Sequence, residues 1–210
     1  MNARAGAVET WDRHALRYGR QARHELRALR TAAALAGPGP SDRVLDVATG
    51  TGLMLDVLRM RADPPRRLLA IDRSAGMLAR LGPLLPDGWS TQRADATALP
   101  LADRSVDVAT VAYLLQLLPA ADRAAVLDEM QRVLAPGGRV VTVTPHVTPR
   151  GTQRIGAAIL NVPAAIAPAR LGGLRTHDPR AELTAAGFTV QRGAQLRHGY
   201  PSLVLLARRR

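Results

Sequence analysis

VLDVATGTGLML, residues 44–55, runs from an apolar strand-like stretch into a loop of glycines and threonines, then into apolar residues at helical spacing. One carboxylate, Asp46, interrupts the apolar run. An acid inside a buried strand is costly unless it meets a ligand or a buried partner. Gly50 and Gly52 carry no Cβ, so a ligand can approach the backbone closely there. The stretch reads as a strand-to-helix turn built around a bound molecule.

The same alternation continues on either side. Apolar runs at 44–47, 67–71, 90–93, 106–112 and 139–144 are separated by helical patterns near 51–60, 75–85 and 120–134. Pro136-Gly137-Gly138 reads as a tight turn into the fifth run. Apolar strands alternating with helices predict a parallel sheet covered on both faces. Residues 178–186 then read as a helix closed by Gly187, and 189–196 and 202–207 as strands near enough to pair antiparallel. The expected fold class is α/β, a doubly wound Rossmann-like sheet of seven strands, mostly parallel, with an antiparallel C-terminal hairpin and helices on both faces.

Ahead of the sheet, residues 10–36 predict one long helix. Trp11, Ala15, Tyr18, Ala22, Leu26, Leu29 and Ala33 fall on one side, and Arg13, Arg17, Arg20, Arg23, Arg27 and Arg30 on the other. The expected organisation is one domain, 1–210, with an N-terminal helical lid (1–40), a cofactor-binding core (41–145), an inserted substrate cover (147–180), and a helix end with hairpin (181–210). Arg208 to Arg210 read as a frayed tail.

The 210 residues are 47% hydrophobic, enough for a proper core, and contain no cysteine. That removes disulfides, thiolate metal sites and cysteine nucleophiles from consideration. All 29 basic residues are arginine and the net charge is +12. A solvated helix face is the simplest account of the arginine stripe; contact with an anionic surface or substrate is a second. Nucleic acid ranks last, because 3% aromatic residues offer few stacking platforms. With no membrane-length apolar run and no secretory leader, a cytoplasmic location is expected.

In a doubly wound sheet, ligands bind beyond the carboxyl ends of the strands. Asp72 ends the second strand, twenty residues after Gly52, where a carboxylate can accept both ribose hydroxyls. A dinucleotide would need a small residue where Leu55 stands, and a carboxylate beside the loop would repel a pyrophosphate. Asp46 suits a cationic ligand such as an amino acid's ammonium, and Asp95, after the third strand, suits an adenine amino group. A nucleoside with an amino-acid arm and no phosphates is S-adenosylmethionine; a nicotinamide cofactor is the weakest option.

Five blocks in order, WDRHALRYGRQ, VLDVATGTG, LLAIDRSAGML, RADATALPLADRSVDVATVAYLLQLLP and DEMQRVLAPGGRVVTVTP, resemble the class I S-adenosylmethionine-dependent methyltransferases, closest to the ubiquinone/menaquinone-biosynthesis type. The resemblance implies a loop from Ala48 through Thr49 and Gly50 to Gly52 around the methionine arm. It implies Asp72 with Arg73 at the ribose, Met77 on the adenine face, Asp95 and the Ala96 amide at its edge, Ala112 near the sulfonium, and Tyr18 closing over the methionine end. Ala48 stands where a glycine is commoner, and Gln116 where relatives often have histidine.

Methyl transfer to a small, apolar acceptor, at O or C, is the function expected, giving S-adenosylhomocysteine. Tyr113, Gln116 and His146 are the candidate acceptor residues. His146, His177 and His14 are the candidates for a base. The alternatives are another reaction on the same cofactor, such as a cyclisation, or a non-catalytic nucleotide-binding module. VAYLLQ after the fourth strand lacks an Asn-Pro-Pro-aromatic motif, which disfavours methylation of adenine amines, and the missing cysteine excludes covalent pyrimidine methylation. Monomer and homodimer stay open.

Overall fold

The computed structural model describes residues 22–81, 85–146, 175–197 and 199–210. Helix α1 (Ala22–Ala36) precedes β1 (Arg43–Val47), α2 (Leu53–Arg59), β2 (Arg67–Asp72), the single turn α3 (Ala75–Leu78) and β3 (Trp89–Arg93). Then come β4 (Val106–Ala112), a 3₁₀ turn (Leu115–Leu117), α4 (Ala120–Val133), β5 (Leu134–Pro145), α5 (Arg180–Ala185), β6 (Phe188–Leu196) and β7 (Ser202–Arg209).

All seven strands join one sheet in the order β3-β2-β1-β4-β5-β7-β6. β1 to β5 pair in parallel, and β7 runs antiparallel to both β5 and β6. Strand order reverses between β1 and β4, so the ligand crevice is expected over their carboxyl ends.

Side chains alternate across the sheet and divide the core in two. Leu45, Val47, Ala109 and Val111 face α4, packing with Val126, Leu127 and Met130. Val44 and Val108 face the other way, onto Ala28, Leu29 and Ala32 of α1 and Met54, Leu55 and Leu58 of α2. Arg27 and Arg30 stay exposed, as the arginine stripe predicts for this part of the helix. At the amino end of the sheet Arg43 makes a two-pronged bond to Asp107, 2.9 Å and 2.8 Å, which pins β1 to β4 and holds the Asp107 carboxyl below its usual range.

Three local expectations are corrected. The helix expected over 75–85 ends at Leu78, because Arg80 and Leu81 donate to carbonyls only three residues back and the turn tightens. Pro136-Gly137-Gly138 is not a turn before the strand but an irregularity within β5. Pairing moves from Val106–Leu134 to Val108–Arg139, so the β5 side loops out, with Gly137 at φ +73°. Arg208 and Arg209 are not frayed: they pair with Arg139 and Phe188, and Arg209 donates to the Leu134 carbonyl. The expected cover falls almost wholly on residues outside those described. No described helix is long and apolar enough to cross a membrane.

Candidate cofactor site

The loop after β1 is shaped by its backbone. Ala48, Gly50 and Gly52 all adopt positive φ, at +56°, +57° and +84°. Glycine takes this conformation freely, whereas Ala48 bears a strain of about 1 kcal/mol. Thr49 N–H donates to the Ile71 carbonyl at 2.9 Å, tying the loop to the end of β2. Tyr113, just past β4, is also at positive φ, +55°, and its N–H donates to Val143 at 2.7 Å. Left-handed non-glycine residues thus stand at both strand ends flanking the reversal, where strain tends to mark function.

Between them opens a cavity of about 1050 Å³, mouth included. Ala48 and Gly50 line it from β1, Asp72, Arg73, Ser74 and Met77 from the β2 end, and Asp95, Ala96 and Thr97 from the β3 end. Ala112, Tyr113 and Leu114 follow β4, and Leu117, Leu118, Asp122 and Val126 complete the wall.

Asp72 is held rigidly. Its Oδ2 accepts the Gly50 N–H at 2.9 Å and its Oδ1 the Ser74 N–H at 2.8 Å. Ser74 caps α3 by accepting the Met77 N–H at 3.0 Å, which seats the buried Met77 side chain on the cavity wall. Asp95 Oδ1 accepts both the N–H and the hydroxyl of Thr97, at 3.0 Å and 2.9 Å, while Arg73 Nε lies 3.7 Å from its Oδ2.

Asp46 is placed differently. Its side chain points to the α1/α2 face, opposite Thr110 in register, and is 1% exposed. Thr110 Oγ1 donates to its Oδ1 at 2.5 Å, and its Oδ2 has no hydrogen-bond partner among the described residues. Burial pushes its carboxyl up to about 6, against the opposing Thr110 hydroxyl; the neighbouring Asp72 charge adds to the rise. Asp46 therefore lies behind the loop and forms no part of the cavity wall.

Thr49 and Gly52 are likewise behind the wall. Gln116 donates through Nε2 to the Tyr113 carbonyl at 2.7 Å, leaving a buried Oε1 with no hydrogen-bond partner among the described residues. His146 N–H donates to the Pro201 carbonyl at 3.0 Å, its buried Nδ1 has no hydrogen-bond partner among the described residues, and it does not line the cavity. His177 is bonded through Nε2 to Glu182 at 2.8 Å and does not line the cavity. Tyr18 and His14 lie outside the described residues.

Three features escaped sequence reading. Leu117 and Leu118 add apolar surface to the cavity wall. Asp122 and Val126, one helical turn apart on α4, also reach the cavity. Tyr200 packs edge-on against Tyr113 at 5.5 Å, and Tyr113 Oη lies 2.8 Å from Ser202 Oγ.

The donor set fits an adenosyl amino acid. The wall is largely apolar and carries three acids with one arginine, itself beside Asp95, so it lacks the cationic cluster a pyrophosphate requires. The loop lets a ligand lie against the backbone at Gly50, where a built Cβ would meet nothing within 4 Å.

Comparison with known proteins agrees. Residues 44–138 match the methyltransferase domain family. The chain is 36% identical over 175 residues to malonyl-[acyl-carrier protein] O-methyltransferase of Methylococcus capsulatus, covering 81% of this chain and 60% of that one. It is 40% identical over 105 residues to demethylmenaquinone methyltransferase of Renibacterium salmoninarum, covering 50% of this chain and 42% of that one. The chain thus spans roughly half the length of these curated relatives. In fold it matches magnesium protoporphyrin IX methyltransferase from Synechocystis PCC 6803, solved with bound SAH, at TM-score 0.65 and 18% identity over 93% of this chain and 86% of that one. The family match begins at Val44, on the strand that leads into the loop: residues 44–138 form a methyltransferase domain, and the chain is similar to methyltransferases that include the menaquinone-biosynthesis enzymes.

Proposed function

We propose that this chain transfers the methyl group of S-adenosylmethionine to an oxygen or carbon of a small, largely apolar acceptor. The observation that carries the reading is Asp72, fixed on the cavity wall by the Gly50 and Ser74 amides. A carboxylate so held suits a ribose diol, and an amide-anchored acceptor loses little entropy on binding.

Bound S-adenosylmethionine supplies an electrophilic methyl group on a sulfonium. The chain's own part is to position, orient and keep water out. In this reading Asp72 and Arg73 hold the ribose. Met77 and Leu117 would offer the adenine apolar surface, and Asp95 with the Ala96 amide would take its edge. The Ala48–Gly50 backbone follows the methionine arm. Ala112 and Tyr113 border the reacting end, where the Tyr113 ring face can steady a cation.

Burial and the nearby Glu25 carboxylate hold the Tyr113 phenol well above its usual range, so it stays protonated and serves as wall rather than base. His146 follows the end of β5 and is the base this reading favours if the acceptor needs one; its buried Nδ1 has no hydrogen-bond partner among the described residues, and the side chain stands outside the cavity lining. One named relative is a demethylmenaquinone methyltransferase and another a malonyl-[acyl-carrier protein] O-methyltransferase, and a largely apolar cavity suits acceptors of either kind.

Calorimetry with S-adenosylmethionine on wild type and Asp72→Ala tests the reading. A loss of roughly 1.5–3 kcal/mol in binding is expected from removing hydrogen bonds to a charged group. Unchanged affinity overturns the ribose assignment, and acceptor turnover without S-adenosylhomocysteine overturns methyl transfer.

A further inference from the structure

Tyr113 is held at three points. Its N–H donates to the Val143 carbonyl at 2.7 Å, its hydroxyl lies 2.8 Å from Ser202 Oγ, and its carbonyl accepts from Gln116 Nε2 at 2.7 Å. The backbone between these bonds is left-handed, at φ +55°, which a bulky residue keeps only where its surroundings impose it. The first two anchors tie Tyr113 to β5 and β7. The third fixes the plane of the peptide that joins Tyr113 to Leu114, and both residues line the cavity. Gln116 itself is buried in the 3₁₀ turn and does not line the cavity. Its Oε1 has no hydrogen-bond partner among the described residues, and a half-satisfied buried amide is less favourable than an apolar side chain. The turn closes without that amide, through Leu117 N–H to the Leu114 carbonyl and Leu118 N–H to the Leu115 carbonyl. What the amide adds is its hold on Tyr113.

We propose that Gln116 is a positioning residue: by donating to the Tyr113 carbonyl it keeps Tyr113 left-handed and so sets the cavity wall just past β4 against which the cofactor binds. This rests on the reading of the cavity as the S-adenosylmethionine site. Without the donor, the Tyr113 carbonyl loses its partner and the strained backbone relaxes toward an ordinary conformation. Binding then requires a return to the strained conformer, and the apparent affinity falls with the fraction of molecules that hold it. A side chain of similar reach that can still donate, such as a histidine, preserves the arrangement. A bond that served the turn alone would move stability and leave the state of Tyr113 unchanged.

The experiment compares Gln116→Met, which keeps the size of the side chain and loses the donor, with Gln116→His, which keeps a donor. Calorimetry with S-adenosylmethionine should show binding about tenfold weaker in Gln116→Met and within about threefold of wild type in Gln116→His. Ultraviolet titration without ligand gives the second readout. In Gln116→Met the Tyr113 hydroxyl leaves its place beside Ser202, so one phenol more than in wild type should ionise at about pH 10 while circular dichroism reports an intact fold. Gln116→His should titrate as wild type does. A folded Gln116→Met that matches wild type in both readouts overturns the proposal, and so does a Gln116→His as impaired as Gln116→Met. If Gln116→Met does not fold, Gln116→His decides: wild-type binding and titration uphold the donor's role, and loss of either overturns it. Wild type that binds no S-adenosylmethionine overturns the reading of the cavity and this inference with it, an outcome distinct from a variant that binds as wild type does.

Discussion

His177 Nε2 lies 2.8 Å from Glu182 Oε2, and the other oxygen of that carboxylate takes the Arg123 Nε–H at 2.7 Å. Arg123 also donates through Nη1 to the Leu118 carbonyl at 2.7 Å, and the His177 carbonyl accepts the Thr144 hydroxyl at 2.8 Å. The cluster joins the cavity wall after β4, the end of β5 and the start of α5. The imidazole of His177 is thereby a fastening. His177→Ala should cost about 1.5–3 kcal/mol of stability, as expected for losing one hydrogen bond to a charged partner. Turnover should stay within about threefold, where loss of a true general base costs about 100-fold or more. Paired denaturation and rate measurements separate the two; a 100-fold rate loss would restore His177 as a base.

Asp46 makes the fold pH-dependent. Its folded carboxyl titrates near 6, above the ordinary carboxylate value, because burial disfavours the charge. The folded state therefore holds a proton that the unfolded chain releases, and stability from this group is complete below about pH 4 and lost as pH rises through 6. Against Asp46→Asn, wild type should gain roughly 1 kcal/mol on going from pH 7 to pH 5. Urea unfolding of both proteins at the two values checks it. A difference that does not change with pH removes the assigned burial penalty.

The loop glycines separate folding from binding. A Cβ on Gly50 meets nothing within 4 Å, so Gly50→Ala strains only φ +57°, at about 1 kcal/mol. The new methyl projects from a residue that lines the cavity, however, and should weaken S-adenosylmethionine binding by about tenfold or more, one displaced methylene being worth 1–3 kcal/mol. A binding constant unchanged in a folded Gly50→Ala protein places the ligand elsewhere.

The sequence discloses the sheet well because its strands are apolar runs that only burial on both faces explains. The antiparallel hairpin is legible for the same reason: Thr189–Leu196 and Ser202–Ala207 leave too few residues between them for a crossover. What escapes is set by which face a side chain takes. Asp46 sits beside the loop in sequence, yet the twofold alternation of β1 turns it to the α1 side against Thr110. Asp122 and Val126 carry a readable four-residue spacing, but nothing local distinguishes a helix face toward a cavity from one toward a core. The His177–Glu182–Arg123 cluster draws Arg123 from 59 residues before Glu182, a pairing no local pattern encodes. Pro136-Gly137-Gly138 misleads because glycines at positive φ serve turns and bulges alike.

Tyr113 offers the last test, through its hydroxyl. Ser202 has one proton and donates it to the Tyr200 carbonyl at 2.7 Å, so in the 2.8 Å contact it is the Tyr113 hydroxyl that donates to Ser202 Oγ. The phenol of Tyr200 is pushed up to about 12 by burial and by Glu25, and that of Tyr113 is raised further, by burial first and then by Glu25. Two of the three tyrosines in the chain should therefore stay protonated in the folded protein at pH 11, well above the ordinary phenol value of about 10. Since the unfolded chain ionises first, stability falls as pH rises from about 10 toward the folded values, and alkaline unfolding releases both phenols together. Tyr113→Phe keeps the cavity wall, loses one buried hydrogen bond at about 1 kcal/mol, and should flatten the alkaline decline. Ultraviolet titration against circular dichroism checks it, and two phenols ionising near pH 10 with the fold intact would contradict the buried, donating arrangement.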